Sequence, residues 1–191
     1  MSQQPPPQEA HWPEGAVFTI DHSTLPIGQF TALLHTYEFR CLVDIRTVPR
    51  SRHNPQFNGD VLAHTLKPED IDYVALPALG GLRHALKDSP NTAWRNKSFR
   101  GYADYMQTEA FAAGLATLID ISRQKPAAIM CAEAVPWRCH RSLVADALGV
   151  RGIPAVEILS ETSYRLHKST PFARVEGTHI SYPPDQAALP V

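Results

Sequence analysis

Short apolar runs alternate with helical patterns along the middle of this chain, and this alternation limits its fold more than any other feature. Five runs have the length and the apolar content of buried strands. They cover residues 16–20, 41–45, 71–76, 127–132 and 155–159. Helical patterns between strands indicate parallel pairing, with helices covering both faces of the sheet. We therefore predict a three-layer α/β fold on a mostly parallel sheet of about five strands.

Proline positions mark the limits of this domain. The chain has 17 prolines and 10 glycines, and eight of the prolines fall in its first 14 or last 22 residues. Proline has no backbone N–H to donate, so proline-rich ends favour an extended chain. We predict a disordered proline-rich arm at 1–15, a single α/β domain at 16–168 and an extended proline-rich tail at 169–191.

Composition excludes several classes of protein. The 18 basic and 19 acidic residues give a net charge of -1, which excludes a polybasic protein that binds nucleic acid over its whole surface. We find neither an apolar run of the roughly 18 residues that span a membrane nor a secretory signal pattern. The three cysteines are an odd number and indicate reduced thiols. We expect a cytoplasmic protein without a membrane partner; the sequence specifies neither a cofactor nor an oligomeric state.

Ionisable or hydrogen-bonding side chains follow four of the predicted strands. They are Asp21, His22 and Ser23 after the first strand, Asp44, Arg46, Arg50 and Arg52 after the second, Arg83 and His84 after the third, and Cys131, Glu133, Cys139, His140 and Arg141 after the fourth. Ligands of open parallel sheets bind beyond the carboxyl ends of the strands. We therefore expect these side chains to converge on one crevice.

The order and spacing of these residues resemble domain-of-unknown-function family 488. The motifs that carry the resemblance are Thr19-Ile20-x-His22-Ser23, Val43-Asp44-Ile45-Arg46-x-x-Pro49-x-Ser51-Arg52, Leu79-Gly80-Gly81, Gly101-Tyr102-x-x-Tyr105-Met106, and Met130-Cys131-Ala132-Glu133 with Cys139-His140-Arg141. The resemblance runs from about residue 19 to residue 158 and departs at Asp21, where the family usually has glycine. It implies a compact intracellular α/β domain and no established reaction.

Two pairs of residues after the second strand are candidates for binding an anion. Asp44 and Arg46 are two apart on a strand and point to the same side, so the carboxylate would orient the guanidinium toward a phosphate or carboxylate. Arg50 and Arg52 would add further donors. The alternative is a structural ion pair between Asp44 and Arg46, with Arg50 and Arg52 solvated.

Cys139 stands at the start of a predicted helix, where the dipole and unpaired amides favour an anion. It is a candidate nucleophile, with His22 or His140 as its base and the helix-start amides as an oxyanion hole. The same helix start, with Arg141, would bind a phosphate without the thiol. The alternative makes Cys139 a packing residue and His140 a solvated neighbour.

Cys131 and Glu133 leave the fourth strand on one side. Glu133 is a candidate general acid or base, or it orders the cleft by pairing with Arg141 or Arg46. A metal site is disfavoured here, because Cys139 and His140 are neighbours whose side chains usually diverge and the cysteine spacing is not a zinc pattern. A disulfide between the two cysteines is chemically allowed.

The segment after the third strand combines glycines with cations. Gly80-Gly81 predicts a turn with positive φ. Residues 82–100 form a long basic stretch with Trp94 and Phe99 interleaved, which is typical of a lid or of a nucleic-acid contact. A solvated loop is the alternative.

These features lead to one hypothesis and two alternatives. The hypothesis is a crevice that binds an anionic ligand (phosphate, nucleotide or nucleic-acid end), in an enzymatic version a hydrolase or transferase. Proton transfer would fall to Glu133 or His22 and nucleophilic attack to Cys139; binding would fall to Ser23, Asp44, Arg46, Arg50, Arg52, Cys131, His140 and Arg141. The alternatives are a non-catalytic nucleic-acid or protein-binding module that uses residues 83–100, and a redox or metal-linked thiol protein.

Overall fold

A six-stranded sheet with helices on both faces organises the protein, whose computed structural model describes residues 7, 10–133 and 139–184. The strands are β1 (Val17–Asp21), β2 (Cys41–Asp44), β3 (Asp72–Ala75), β4 (Ala127–Cys131), β5 (Ala155–Ile158), β6 (Tyr164–Leu166), β7 (Arg174–Glu176) and β8 (His179–Ser181). The helices are α1 (Ile27–Thr36), α2 (Gly59–Leu66), α3 (Lys97–Tyr105), α4 (Glu109–Gln124) and α5 (Arg141–Gly149). Most of the predicted arm and the end of the predicted tail lie outside the described residues.

The strand order confirms a mostly parallel sheet. The order is β3-β2-β4-β1-β5-β6, and the first five strands are parallel to their neighbours. The sixth strand was not predicted; it pairs antiparallel with β5 at the edge. Both central strands, β4 and β1, are almost entirely buried, as expected for strands covered on two faces.

Side chains alternate between two cores and thereby define three layers. Phe18 of β1 points to the face covered by α1 and α2, where it joins Phe30 and Leu62. Val17 points to the opposite face, covered by α3, α4 and α5, where it joins Leu143. The predicted three-layer α/β fold is confirmed.

Side-chain caps mark the starts of α3 and α4. The side chain of Asn96 accepts a hydrogen bond from the Ser98 amide and starts α3 at Lys97. Thr108 does the same for the Phe111 amide at the start of α4. No helix in the described ranges is both long and apolar enough to cross a membrane.

The C-terminal segment contains structure that the sequence analysis assigned to an extended tail. Strands β7 and β8 form an antiparallel hairpin within 169–191. Ile180 and Tyr182 are buried in the core under α3, α4 and α5, and the Tyr182 ring lies 5.5 Å from that of Trp94. Residues up to 182 thus belong to the folded domain. Burial of these two side chains removes apolar area from water, which holds the segment against the core.

The topology opens a crevice at the carboxyl edge of the sheet. From β1 the chain crosses to β2 along the α1 face, and from adjacent β4 it crosses the other way to β5 along the α5 face. Two neighbouring strands that depart in opposite directions leave a gap between their following loops. The residues after β1, β2 and β4 meet at this gap.

Candidate functional site

A crevice of about 550 Å³ lies at this edge and collects most of the predicted site residues. Seven of the eleven line it: His22, Ser23, Arg46, Arg50, Cys131, Glu133 and His140. Asp44, Arg52, Cys139 and Arg141 are not among its lining residues. Asp44, Cys139 and Arg141 are buried behind the wall, whereas Arg52 is exposed elsewhere.

Arg46 is a buried cation held in one orientation. Its Nε donates to both carboxylate oxygens of Asp44, at 2.9 and 3.1 Å. Its Nη2 donates to Asp44 Oδ2 at 2.5 Å and to the carbonyl of Phe57 at 2.7 Å. Its Nη1 donates to Nε2 of His22 at 3.2 Å. A guanidinium has five N–H donors, so the described residues leave one N–H of Nη1 for the crevice.

Asp44 lies behind Arg46 and does not line the crevice. Its side chain is fully buried and accepts a further hydrogen bond from the Tyr73 hydroxyl at 2.7 Å. Both readings of the Asp44–Arg46 pair are therefore partly realised: the pair is structural, and its cation still lines the crevice. No sequence pattern points to Tyr73 or Phe57, because both contacts come from chain segments whose approach is set by tertiary folding.

His22 has both ring nitrogens engaged. Nδ1 donates to the Ser23 carbonyl at 3.0 Å, Nε2 accepts from Arg46, and the ring stacks on Phe57 with 4.2 Å between centroids. Burial first, and then the neighbouring Arg46, lower the pKa of His22 from 6.5 to about 4. The neutral ring thus orients Arg46 and has no lone pair for proton abstraction while this bond is made, which disfavours the predicted catalytic role.

The loop after Arg46 carries the remaining arginines. Arg50 is exposed and lines the crevice mouth. The loop is fixed by hydrogen bonds from the Ser51 amide to Asn58 Oδ1, 2.8 Å, and from the Asn54 amide to Ser51 Oγ, 3.0 Å. Ser23, which also lines the crevice, has a φ of 40°, a conformation that non-glycine residues rarely adopt and that functional sites often contain.

Two cysteines meet at the floor of the crevice. The ligand atoms of Cys131, Cys139 and His140 all lie within 4.8 Å of one another. Cys131 is 8 % exposed and reaches the crevice, whereas Cys139 is 3 % exposed and lies behind it. The thiol hydrogen bond between them, followed by the charge of Arg141, lowers the pKa of Cys139 despite burial, and the same bond raises the pKa of Cys131. The role of Cys139 as a nucleophile stays a prediction, because Cys131 is the sulfur that a ligand would meet.

His140 turns one nitrogen toward the sulfurs. Its Nε2 lies 3.3 Å from the Ile45 carbonyl, which can only accept, so this nitrogen carries the proton. Nδ1 lies 3.7 Å from Cys139 Sγ. Burial lowers the pKa of His140, which favours the neutral ring. The neighbouring side chains of Cys139 and His140 converge, contrary to the expectation that they would diverge.

The glycine pair acts through close approach, and the predicted positive φ is wrong. Gly80 has a φ of -69°, and the described glycines with positive φ are Gly15, Gly152 and Gly177. A Cβ on Gly81 would lie 3.0 Å from Nδ1 of His140, and one on Gly80 would lie 2.5 Å from Thr47 Oγ1. Gly81 therefore leaves room for the imidazole, a contact that sequence spacing does not reveal.

Arg141 supports the floor from inside the protein. It is 1 % exposed, its Nε donates to Cys139 Sγ at 3.4 Å, and its Nη2 donates to the Glu133 carbonyl at 2.5 Å. Its Nη1 is buried and has no hydrogen-bond partner among the described residues. Burial raises the pKa of the nearby Asp21 to about 6, and the positive charge of Arg141 opposes that rise.

The basic segment at 82–100 is tied to the body of the protein. Asp104 of α3 accepts hydrogen bonds from the Leu86 amide, Ser89 Oγ and Asn91 Nδ2, all within 2.8 Å. Trp94 and Phe99 belong to the core under α3, α4 and α5 and lie 4.8 Å apart, so they do not form an exposed stacking surface. These contacts favour a structural role over a lid or a nucleic-acid platform.

A larger cavity of about 940 Å³ lies beside β6 and is lined mainly by aromatic and aliphatic side chains. Its buried ionic groups satisfy each other. His167 bonds Glu157 through Nδ1 and Asp146 through Nε2, each at 2.8 Å, and Arg165 bonds Glu157. These charges are paired with one another, whereas the smaller crevice is lined by Arg46, Cys131 and His140.

Comparison with known proteins yields one match. The profile of the family described as Domain of unknown function DUF488 matches residues 26–148, more than half of the chain. This range contains the second and fourth strand ends and the start of α5. No curated protein and no solved structure matches the chain significantly.

Proposed function

The chain belongs to DUF488, a family whose description names no reaction, and we propose from the crevice that it binds the oxyanion of a phosphate-bearing ligand. The supporting observation is the buried Arg46 guanidinium, four of whose N–H groups are engaged by Asp44, Phe57 and His22. The fifth N–H has no hydrogen-bond partner among the described residues, and the Arg46 side chain lines the crevice. An arginine fixed in this way binds an anion without losing further side-chain entropy.

The other groups of the crevice support a nucleotide or nucleic-acid end as the ligand. Arg50 lines the same crevice as Arg46 and adds a second cation to it. A phosphate with two or three free oxygens would be bound by charge-assisted hydrogen bonds from both arginines. A terminal phosphate fits a crevice of about 550 Å³ better than a continuous strand of nucleic acid, which would need an open groove.

In an enzymatic form, the protein would be a hydrolase or a transferase. Among the described lining residues Glu133 supplies the one carboxylate, and we assign it the transfer of a proton to the leaving oxygen of the ligand while water (hydrolase) or the hydroxyl of an acceptor (transferase) attacks the phosphorus. His22 and Asp44 would position Arg46, and neither would touch the ligand. Three reduced cysteines support a location in the cytoplasm.

Calorimetric titration with inorganic phosphate, pyrophosphate and a nucleoside monophosphate tests this proposal. Arg46→Lys keeps the buried charge beside Asp44 but loses the planar set of N–H donors of the guanidinium. The affinity for each anion that binds should therefore fall at least about tenfold. Arg50→Ala should have a smaller effect. Arg52→Ala is the matched control, because Arg52 is exposed and does not line the crevice.

Three results would overturn the proposal. One is that none of the three anions binds the unaltered protein. The second is that a folded Arg46→Lys, Arg50→Ala double variant retains full affinity, and the third is that Arg52→Ala weakens binding as much as Arg46→Lys does. Circular dichroism verifies that each variant is folded before it is titrated.

A further inference from the structure

We propose that Cys131, Cys139 and His140 form a three-ligand site for Zn²⁺ at the floor of the crevice. The proposal deepens the proposed function, since the cation would face the same crevice as Arg46. The binding of metal itself is independent of whether an oxyanion binds there. Two thiolates and one imidazole are the ligand set of a catalytic zinc site that keeps its fourth position open.

The distances fit tetrahedral coordination. With Zn–S of about 2.3 Å and Zn–N of about 2.1 Å, two sulfurs of one zinc ion are about 3.8 Å apart, and a sulfur and a nitrogen about 3.6 Å. Cys139 Sγ and His140 Nδ1 are 3.7 Å apart, and all three ligand atoms fall within 4.8 Å of one another. The donors are therefore already near the positions that zinc requires.

The surroundings orient the imidazole as a metal ligand. A zinc-bound histidine usually donates its other ring N–H to a carbonyl or carboxylate. Here Nε2 of His140 faces the Ile45 carbonyl, 3.3 Å away, which leaves Nδ1 for the cation. Gly81 leaves the space that the ring needs, since a Cβ there would lie 3.0 Å from Nδ1.

The charges around the sulfurs suit a divalent cation. Two thiolates neutralise Zn²⁺, so the nearby guanidinium of Arg141 meets no net positive charge. Its Nε–H donates to Cys139 Sγ, the kind of bond that supports a metal-bound thiolate. Cys131 and His140 both line the crevice, so the fourth position of the metal would open toward a ligand there. A cation in this place would polarise a bound phosphoryl oxygen as a Lewis acid.

Cobalt titration of the reduced, chelator-treated protein tests the site. One equivalent of Co²⁺ should produce a thiolate-to-metal charge-transfer band and the visible bands of a tetrahedral complex, and Zn²⁺ should displace it. Cys131→Ser and Cys139→Ser should each weaken cobalt binding about 100-fold, an order-of-magnitude expectation for a lost thiolate, and about halve the charge-transfer band of any complex that still forms. Cys41→Ser is the matched control, since Cys41 is a buried cysteine on β2 outside this cluster.

Gly81→Ala provides a variant that keeps all three ligands. It should displace the His140 ring and lower the affinity for cobalt about tenfold, by analogy with the loss of an orienting contact. Absence of a charge-transfer band in the unaltered protein, unchanged cobalt affinity and band intensity in both cysteine variants, or an equal effect of Cys41→Ser would overturn the proposal. Arg46→Lys should leave the cobalt spectrum unchanged. If the protein binds cobalt at this site but binds no phosphate, the proposed function is overturned and the metal site is not.

Discussion

Buried His167 should make the stability of this protein depend on pH in the alkaline range. Both of its ring nitrogens face carboxylates, Glu157 at Nδ1 and Asp146 at Nε2, and carboxylates can only accept. Both nitrogens therefore carry protons, and the ring is a cation. Burial opposes the charge, but these two partners prevail and raise the pKa of His167 from 6.5 to about 9.

The direction and size of the effect follow from this shift. The folded state retains a proton that the unfolded chain loses above pH 6.5, so the stabilisation is complete below that pH. It is lost as the pH rises through about 9. At about 1.4 kcal/mol for each pKa unit, the contribution is about 3 kcal/mol. The side chain is 9 % exposed, so solvent screening is weak.

Urea unfolding of the protein and of His167→Gln across this range measures the contribution. The difference in unfolding free energy between them should shrink by about 3 kcal/mol between about pH 6 and about pH 10. His84→Gln serves as a control at an exposed histidine and should leave the pH dependence unchanged. A difference that stays constant with pH would show that His167 is not a buried cation.

Three further perturbations test other parts of the structure by urea unfolding. The pKa of His22 is lowered to about 4, so the unfolding free energy should fall by about 3 kcal/mol as the pH falls from 6.5 toward 4. His22→Gln should lose this dependence of stability on pH, and an unchanged dependence would contradict a neutral His22. Tyr182→Phe removes a hydrogen bond to the Asp146 carboxylate and should cost about 1–3 kcal/mol, whereas an unchanged midpoint would show that the bond contributes nothing. Asp104→Ala leaves three donors without their acceptor, so we expect a loss of about 3 kcal/mol and new protease cleavage between residues 84 and 92. Asp88→Ala, at an exposed position in the same loop, should show neither effect.

The sheet was predictable because its interior strands are buried on both faces. Continuous apolar runs such as Ala127–Cys131 reveal such strands without any knowledge of their neighbours. The edge strand Tyr164–Leu166 is short and half exposed, and only its pairing with β5 makes it a strand. The hairpin Arg174–Ser181 was missed for the same reason, and its surrounding prolines pointed to extended chain.

The site was predictable only in part. Topology alone brings the residues after β1, β2 and β4 together, so seven predicted residues line one crevice. The positions of hydrogen-bonding atoms were beyond the sequence. Whether His22 abstracts a proton depends on Arg46 reaching its Nε2, and whether Cys139 and His140 converge depends on the Ile45 carbonyl and on Gly81. These are contacts between distant segments, and no local spacing encodes them.

The ionic network beside β6 has a consequence for synthesis of the chain on the ribosome. Asp146 and Glu157 are buried carboxylates, yet their partners His167, Arg165 and Tyr182 all come later in the sequence. A nascent chain that ends before these residues would hold two unpaired charges in its interior, which costs several kcal/mol. The earlier helices and strands should therefore remain susceptible to protease during translation, and resistance should arise only after residue 182 has emerged.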